Sequence, residues 1–163
     1  MEHLPEGSNA PDFVLESISG EPFGLTAALA DGALALVFFK SSCPTCQLTL
    51  PFIQSLYASC GPGTRIWGVS QDDRPETRRF AERYDLAFPI LVDEHPYRVS
   101  DDYALKYVPT VYRIAADGRI QLADFGFSKP ALRDLAAFFA GEAGIEPPHL
   151  FGDTDRLPER RPG

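Results

Sequence analysis

The chain has 163 residues, 44% of them hydrophobic and 23% charged, the balance of one globular domain whose core needs no cross-links. A formal net charge of −8 opposes attraction to phosphate backbones and anionic lipid surfaces, so neither nucleic acid nor a membrane is an expected partner. Three cysteines, Cys43, Cys46 and Cys60, are too few and too odd in number for the disulfide scaffold of a small secreted domain.

The N-terminus is acidic and lacks the apolar region of a signal peptide, and no apolar run approaches the ~20 residues of a spanning helix. The expected location is therefore cytoplasmic, or periplasmic where a leader has been removed. Residues 1–10 read as a polar lead-in. Pro11 to Phe23 reads as a small extended unit that turns at Ser19-Gly20. Leu25 to Leu29 is predicted to form a helical turn capped by Thr26 and closed by Asp31-Gly32.

Ala33 to Phe39 is continuously apolar, the pattern of a central parallel strand covered on both faces. It ends in Lys40-Ser41-Ser42, and Cys43-Pro44-Thr45-Cys46 follows at the start of a helical pattern. Leu50, Ile53, Leu56 and Tyr57 give that helix one buried face, and Pro51 inside it is expected to kink it. Gly61-Pro62-Gly63 ends the unit. Arg65 to Ser70 is predicted as a second strand. Asp72 and Asp73 before Pro75 mark a helix start, with Phe80, Ala81 and Tyr84 inward and Arg78, Arg79 and Arg83 on a solvated face.

Phe88 to Asp93 reads as a short strand, Tyr97 to Leu105 as a short helix, and Val108 to Ile114 as a strand beginning at a proline. Asp117-Gly118 is a two-residue hairpin signal, with Arg119 to Phe125 returning antiparallel. Lys129 to Ala140 is a last amphipathic helix with Leu132, Leu135, Phe138 and Phe139 inward. The expected organisation is one α/β domain with a mixed sheet over residues 1–140 and a Pro/Gly-rich extended tail over 141–163, whose Pro147 to Phe151 core is free to pack on the domain.

Two cysteines three positions apart at a helix start form a recognisable chemical device. Unpaired N–H groups and the positive end of the helix dipole favour a thiolate at the first of them. Cys43 is therefore the candidate nucleophile, with Lys40 as a helpful nearby charge. Cys46, one turn on, is placed to resolve a mixed disulfide. Pro44 suits the first helical turn, and the Pro44-Thr45 pair should tune the potential. The alternative, half of a structural zinc site, lacks a second paired motif: only Cys60, His3, His95 and His149 remain as ligands. Neither a metal nor a cofactor is expected. Cys60 reads as a buried small apolar residue, Trp67 as core, and His95 and His149 as surface or loop residues.

With these residues placed, the chain resembles a thioredoxin-fold protein of the redoxin branch. That branch holds the TlpA/ResA-like thiol-disulfide oxidoreductases and the alkyl hydroperoxide reductase–type peroxiredoxins. The resemblance rests on Ala10-Pro11-Asp12-Phe13 with Gly20 and Leu25, similar to the branch's N-terminal hairpin, and on Cys43-Pro44-Thr45-Cys46 after an apolar strand. It rests further on Pro51, on Gly68-Val69-Ser70, on Phe88 to Asp93 as the branch's βα insertion, and on Val108-Pro109-Thr110. It implies a thioredoxin-like fold and thiol–disulfide exchange with a protein or small-molecule thiol or disulfide substrate. An electron-donor reductase and a monomeric or homodimeric state complete the expectation. It also implies a cis bond before Pro109, leaving the Val108 backbone to pair with an extended substrate beside Cys43, so Pro44, Thr45, Val108 and Pro109 are the expected substrate contacts.

Three positions depart from the pattern. Ser42 stands where TlpA-like members usually carry Trp, Thr49 where they often carry a carboxylate, and Val37 where thioredoxins keep a buried Asp. The usual proton acceptors for the second thiol are missing, which leaves that role to water, to an acid from a loop, or to slow exchange. A peroxidase is the rival function, although the peroxiredoxin Pro-x-x-x-Thr/Ser-x-x-Cys setting read onto Cys46 fails at Phe39 and at Cys43. A copper chaperone would need one more residue between the cysteines. A non-catalytic binding module of the same fold is the other alternative.

Overall fold

The computed structural model describes residues 2–163. Its centre is a five-stranded mixed sheet in the order β5-β4-β3-β6-β7, where β3 is Leu34–Phe39, β4 Ile66–Ser70, β5 Ile90–Val92, β6 Thr110–Ile114 and β7 Ile120–Phe125. The strands β3, β4 and β5 run parallel, while β6 and β7 are antiparallel to their neighbours. This is the mixed α/β sheet expected from the chain order.

All six residues of β3 are buried, and the pleat divides them by parity. Ala35, Val37 and Phe39 face one core with Leu50, Ile53 and Leu56 of α2 (Pro44–Cys60), Phe80 of α3 (Arg74–Arg83), and Leu132, Leu135 and Phe139 of α5 (Lys129–Ala143). Leu34, Leu36 and Phe38 face the other with Phe13, Leu25 and Leu29 of the N-terminal unit, Trp67, and Val99 of α4 (Arg98–Asp102). A continuous apolar run is what burial on both faces demands. Phe138 is half-buried, with the Arg113 guanidinium over its ring.

The N-terminal unit is a hairpin of β1 (Val14–Glu16) and β2 (Pro22–Gly24), followed by α1 (Leu25–Leu29). The expectation of Thr26 as cap is corrected: Gly24 is the N-cap, and the Asp12 carboxylate accepts from the Thr26 N–H at 3.1 Å. The lead-in is also docked. Gly7 N–H donates to Ile120 O, Ile120 N–H to Ser8 O, and Leu4 N–H to the Tyr112 hydroxyl.

The β6–β7 connection is a longer loop than the two residues predicted from Asp117-Gly118. Ala115 N–H bonds to Arg119 O and Gly118 N–H to Ala115 O, and in this loop only Gly118 has positive φ, at 88°. That is a type I turn closed by a left-handed glycine, a bulged hairpin that asks for φ > 0 at one position instead of two. Helix α2 is continuous across Pro51, whose missing N–H leaves the Gln47 carbonyl without its intrahelical donor.

Residues after α5 return over the domain. Phe151 packs against Phe52 and Phe127, and Leu150 and Leu157 lie against the α2–α5 core. Strand β9 (Arg160–Arg161) pairs antiparallel with β8 (Phe127–Ser128). No helix among the described residues is long and apolar enough to cross a membrane.

Candidate active site

Parallel β3 and β4 end side by side, so the loops that follow them meet at one edge of the sheet. Gln71 N–H donates to Phe39 O at 3.0 Å, and Ser41 N–H donates to the Asp72 carboxylate at 2.7 Å. The β3 loop turns through a Cys43 N–H to Lys40 O bond and enters α2 with Cys43 as N-cap and Pro44 as the first helical residue. Proline is suited to this place because the N–H it lacks would have no intrahelical acceptor.

As N-cap, Cys43 presents its sulfur to the first turn, and the Cys46 N–H donates to it at 3.2 Å. Sγ also lies 3.5 Å from the carbonyl of Val108, to which the protonated thiol donates. The Val108–Pro109 peptide is cis, and that loop faces the dithiol from the start of β6. Cys43 is partly exposed, whereas Cys46 is fully buried.

The two thiols titrate in opposite directions. The hydrogen bond from the Cys46 thiol lowers Cys43; burial opposes this, and the N–H groups of Cys46 and Thr45 and the positive charge of Arg161 add to the lowering, holding Cys43 at about 6. Burial pushes Cys46 far up, and the neighbouring Cys43 and the Asp72 carboxylate push it further. One thiol of the pair is a thiolate at neutral pH and the other remains protonated. Such a pair has an accessible nucleophile with a protonated partner one helical turn away.

Of the residues expected to contact substrate, Pro44 is exposed at the helix start, while Thr45 is buried with its hydroxyl donating to Pro162 O at 2.8 Å. Val108 and Pro109 sit opposite Cys43. A positive charge that acts on Cys43 comes from Arg161, near the other end of the chain. Val37 is wholly buried in β3, so no acid lies beneath the dithiol from that strand. Thr49 is equally buried, and its hydroxyl has no hydrogen-bond partner among the described residues. Cys60 lies buried at the far end of α2, His95 and His149 are exposed, and Trp67 is core. Among the described residues no three His, Cys, Asp or Glu side chains gather where they would hold a metal ion.

Sequence reasoning treats Asp72 only as part of a helix start, and Asp73 is the residue that caps α3, accepting from Glu76 N–H. The signal for Asp72 was present: it follows a strand predicted to lie parallel beside the one that delivers Cys43, and adjacent parallel strands share a C-terminal edge. Arg161 and Pro162 carry no such signal. They lie more than 100 positions from the cysteines, in a stretch without periodicity.

Comparison with known proteins places this geometry. The sequence profile described as the AhpC/TSA family matches residues 7–123. The thioredoxin-like protein YneN of Bacillus subtilis is 32% identical over 122 residues, covering 72% of this chain and 70% of that protein. The thiol-disulfide oxidoreductase ResA of Halalkalibacterium halodurans is 34% identical over 116 residues, covering 70% of this chain and 65% of that one. Among solved structures, the thioredoxin domain of a thiol-disulfide oxidoreductase from Bacteroides vulgatus superposes with a TM-score of 0.71 over 83% of this chain and 98% of that one, at 18% identity. At that identity the likeness is one of fold.

Proposed function

This chain belongs to the AhpC/TSA family, and from that premise we propose that it is a thiol–disulfide oxidoreductase in which Cys43 attacks and Cys46 resolves. The observation that carries this reading is the asymmetry of the pair: an accessible thiol held at about 6 and, one turn away, a buried thiol pushed up.

The Cys43 thiolate attacks one sulfur of a substrate disulfide. The Cys43–substrate S–S bond forms, the substrate S–S bond breaks, and the second substrate sulfur leaves as a thiolate. Cys46 then gives up its proton and attacks the Cys43 sulfur. The Cys43–Cys46 disulfide forms, and the substrate departs reduced by two electrons, which an electron-donor reductase returns to the protein. Pro44, Thr45, Val108 and Pro109 form the ledge on which the substrate lies. Since Val37 and Thr49 offer no carboxylate, we assign the Cys46 proton to Asp72 through water, because the Asp72 carboxylate is held at the loop before Cys43 by the Ser41 N–H and its charge acts on the Cys46 thiol.

The same chemistry runs toward oxidation where the compartment keeps the disulfide form, so a cytoplasmic setting favours reduction of substrate and a periplasmic one its oxidation. Substrates are protein or small-molecule thiols and disulfides, and the protein acts as a monomer or homodimer. A peroxidase built on Cys46 is disfavoured because that sulfur is buried and protonated, and a purely binding module has no use for a lowered Cys43.

Insulin reduction by the wild type and by Cys43→Ser tests the reading. Turnover abolished in Cys43→Ser is the expected result, and equal background rates in both would overturn it. Peroxide-dependent oxidation of a reductant that is lost in Cys46→Ser but kept in Cys43→Ser would favour the peroxidase instead.

A further inference from the structure

The C-terminal residues run directly over the ledge just described. Lys129 N–H donates to Glu159 O, β9 pairs with β8, the Thr45 hydroxyl donates to Pro162 O, and Gly163 closes against the Val108 carbonyl. Thr45 and Val108, two of the four groups expected to meet substrate, are thus already engaged by the protein's own chain. The approach is a backbone-to-backbone one: a Cβ on Gly163 would collide with the Val108 carbonyl, and a Cβ on Gly126 with that of Arg161. Both positions are glycine, the residue that permits such contact.

The segment is also fastened on its way there. Lys129 pairs with Asp155 at 2.8 Å, Arg133 with Glu159 at 3.0 Å, and Arg160 with Asp124 at 2.7 Å. Phe151 packs on Phe52 and Phe127 beneath the Lys129 and Arg133 side chains. Residues 158–163 are themselves exposed, so the tip lies on the surface, held by solvent-accessible ion pairs and the short β8–β9 pairing, while Phe151, Asp155 and Leu157 form the less exposed anchor behind it.

We propose that residues 159–163 are a built-in occupant of the substrate groove, an extended peptide in the place of a substrate backbone, which a disulfide-bearing polypeptide must displace to reach Cys43. The proposal deepens the oxidoreductase reading and rests on it. It makes the tail a selector: a small disulfide passes beside the tip, while a polypeptide competes with it for the β8 edge and the Val108 carbonyl. It also gives Arg161 two roles, since the residue that helps favour the thiolate arrives with the segment that covers it.

The test measures labelling of Cys43, located by mass spectrometry, at about pH 8, where the thiolate is no longer limiting. One reagent is iodoacetamide, the other a maleimide carrying a bulky polymer. The proteins are the 163-residue chain, a chain ending at Pro158, and Gly163→Leu, which keeps residues 159–163 but cannot seat position 163 against the Val108 carbonyl. In both variants the maleimide-to-iodoacetamide rate ratio should rise about tenfold, the effect of one or two net hydrogen bonds. A synthetic Glu-Arg-Arg-Pro-Gly peptide added to the shortened chain should lower it again. An unchanged ratio in both variants overturns the proposal. A pH midpoint near the ordinary ~8.5 for iodoacetamide labelling of Cys43 in the 163-residue chain overturns the nucleophile reading instead.

Discussion

Cys43 and Cys46 are separated by a single helical turn, yet their environments part them. The first caps the helix in partial contact with solvent, and the second lies in the α2–β3 core. Alkylation of Cys43 should therefore rise with pH around a midpoint of about 6, while Cys46 in the Cys43→Ser variant should stay unreactive at neutral pH. A Cys43 midpoint near the ordinary ~8.5 would contradict the account. Arg161 contributes its charge from the tail, so Arg161→Gln should move that midpoint upward. Asp72→Asn keeps an oxygen for the Ser41 N–H but removes the charge and the proton acceptor. Resolution should slow by about a hundredfold, the lower range of general-base effects, so the mixed disulfide on Cys43 should accumulate. An unchanged resolution rate in stopped-flow measurement would remove Asp72 from the mechanism.

At the scale of elements, β3, α2 and β4 form the frame that brings the two loops together, and their packing leaves little slack. A Cβ on Gly68 in β4 would lie 3.1 Å from Phe39 and 3.2 Å from Phe88. Gly68→Ala should therefore destabilise by about 1–3 kcal/mol through overpacking, a loss to be read from denaturant midpoints. These elements were legible in the sequence because each is written locally. A seven-residue apolar run, a Cys-Pro helix start and an Asp-x-Pro cap need no knowledge of distant residues. The hairpin at Asp117-Gly118 was legible as a turn but not in length, because whether one or two residues take positive φ depends on the register of β6 and β7. Thr26 was misread because the group that satisfies its N–H, Asp12, lies outside the local pattern.

The whole molecule joins the dithiol to segments that no local pattern connects to it. β9 is two residues long, and the tail that carries it is held by ion pairs and by Phe151. Each of these is visible only once the fold places Lys129, Arg133 and Asp124 opposite it. The Cys-Pro-Thr-Cys helix start was therefore readable from sequence, and the tail residues that meet Thr45 and Val108 were not. Folding is also linked to the redox state. The Cys43 value in the reduced, folded protein lies below that of the unfolded thiol, so the unfolded chain binds more protons between about pH 6 and ~8.5. The reduced protein should gain stability relative to the disulfide form as pH rises through that window and lose the gain as pH falls through about 6. Paired denaturant titrations of the two forms at several pH values measure this difference, and a gap that does not change with pH would contradict it. The most direct test of the central claim is to trap the exchange intermediate. Cys46→Ser incubated with a disulfide-bonded peptide should accumulate one covalent adduct, located at Cys43 by mass spectrometry and released by a reductant. Absence of an adduct, or its location on Cys60, would contradict the account.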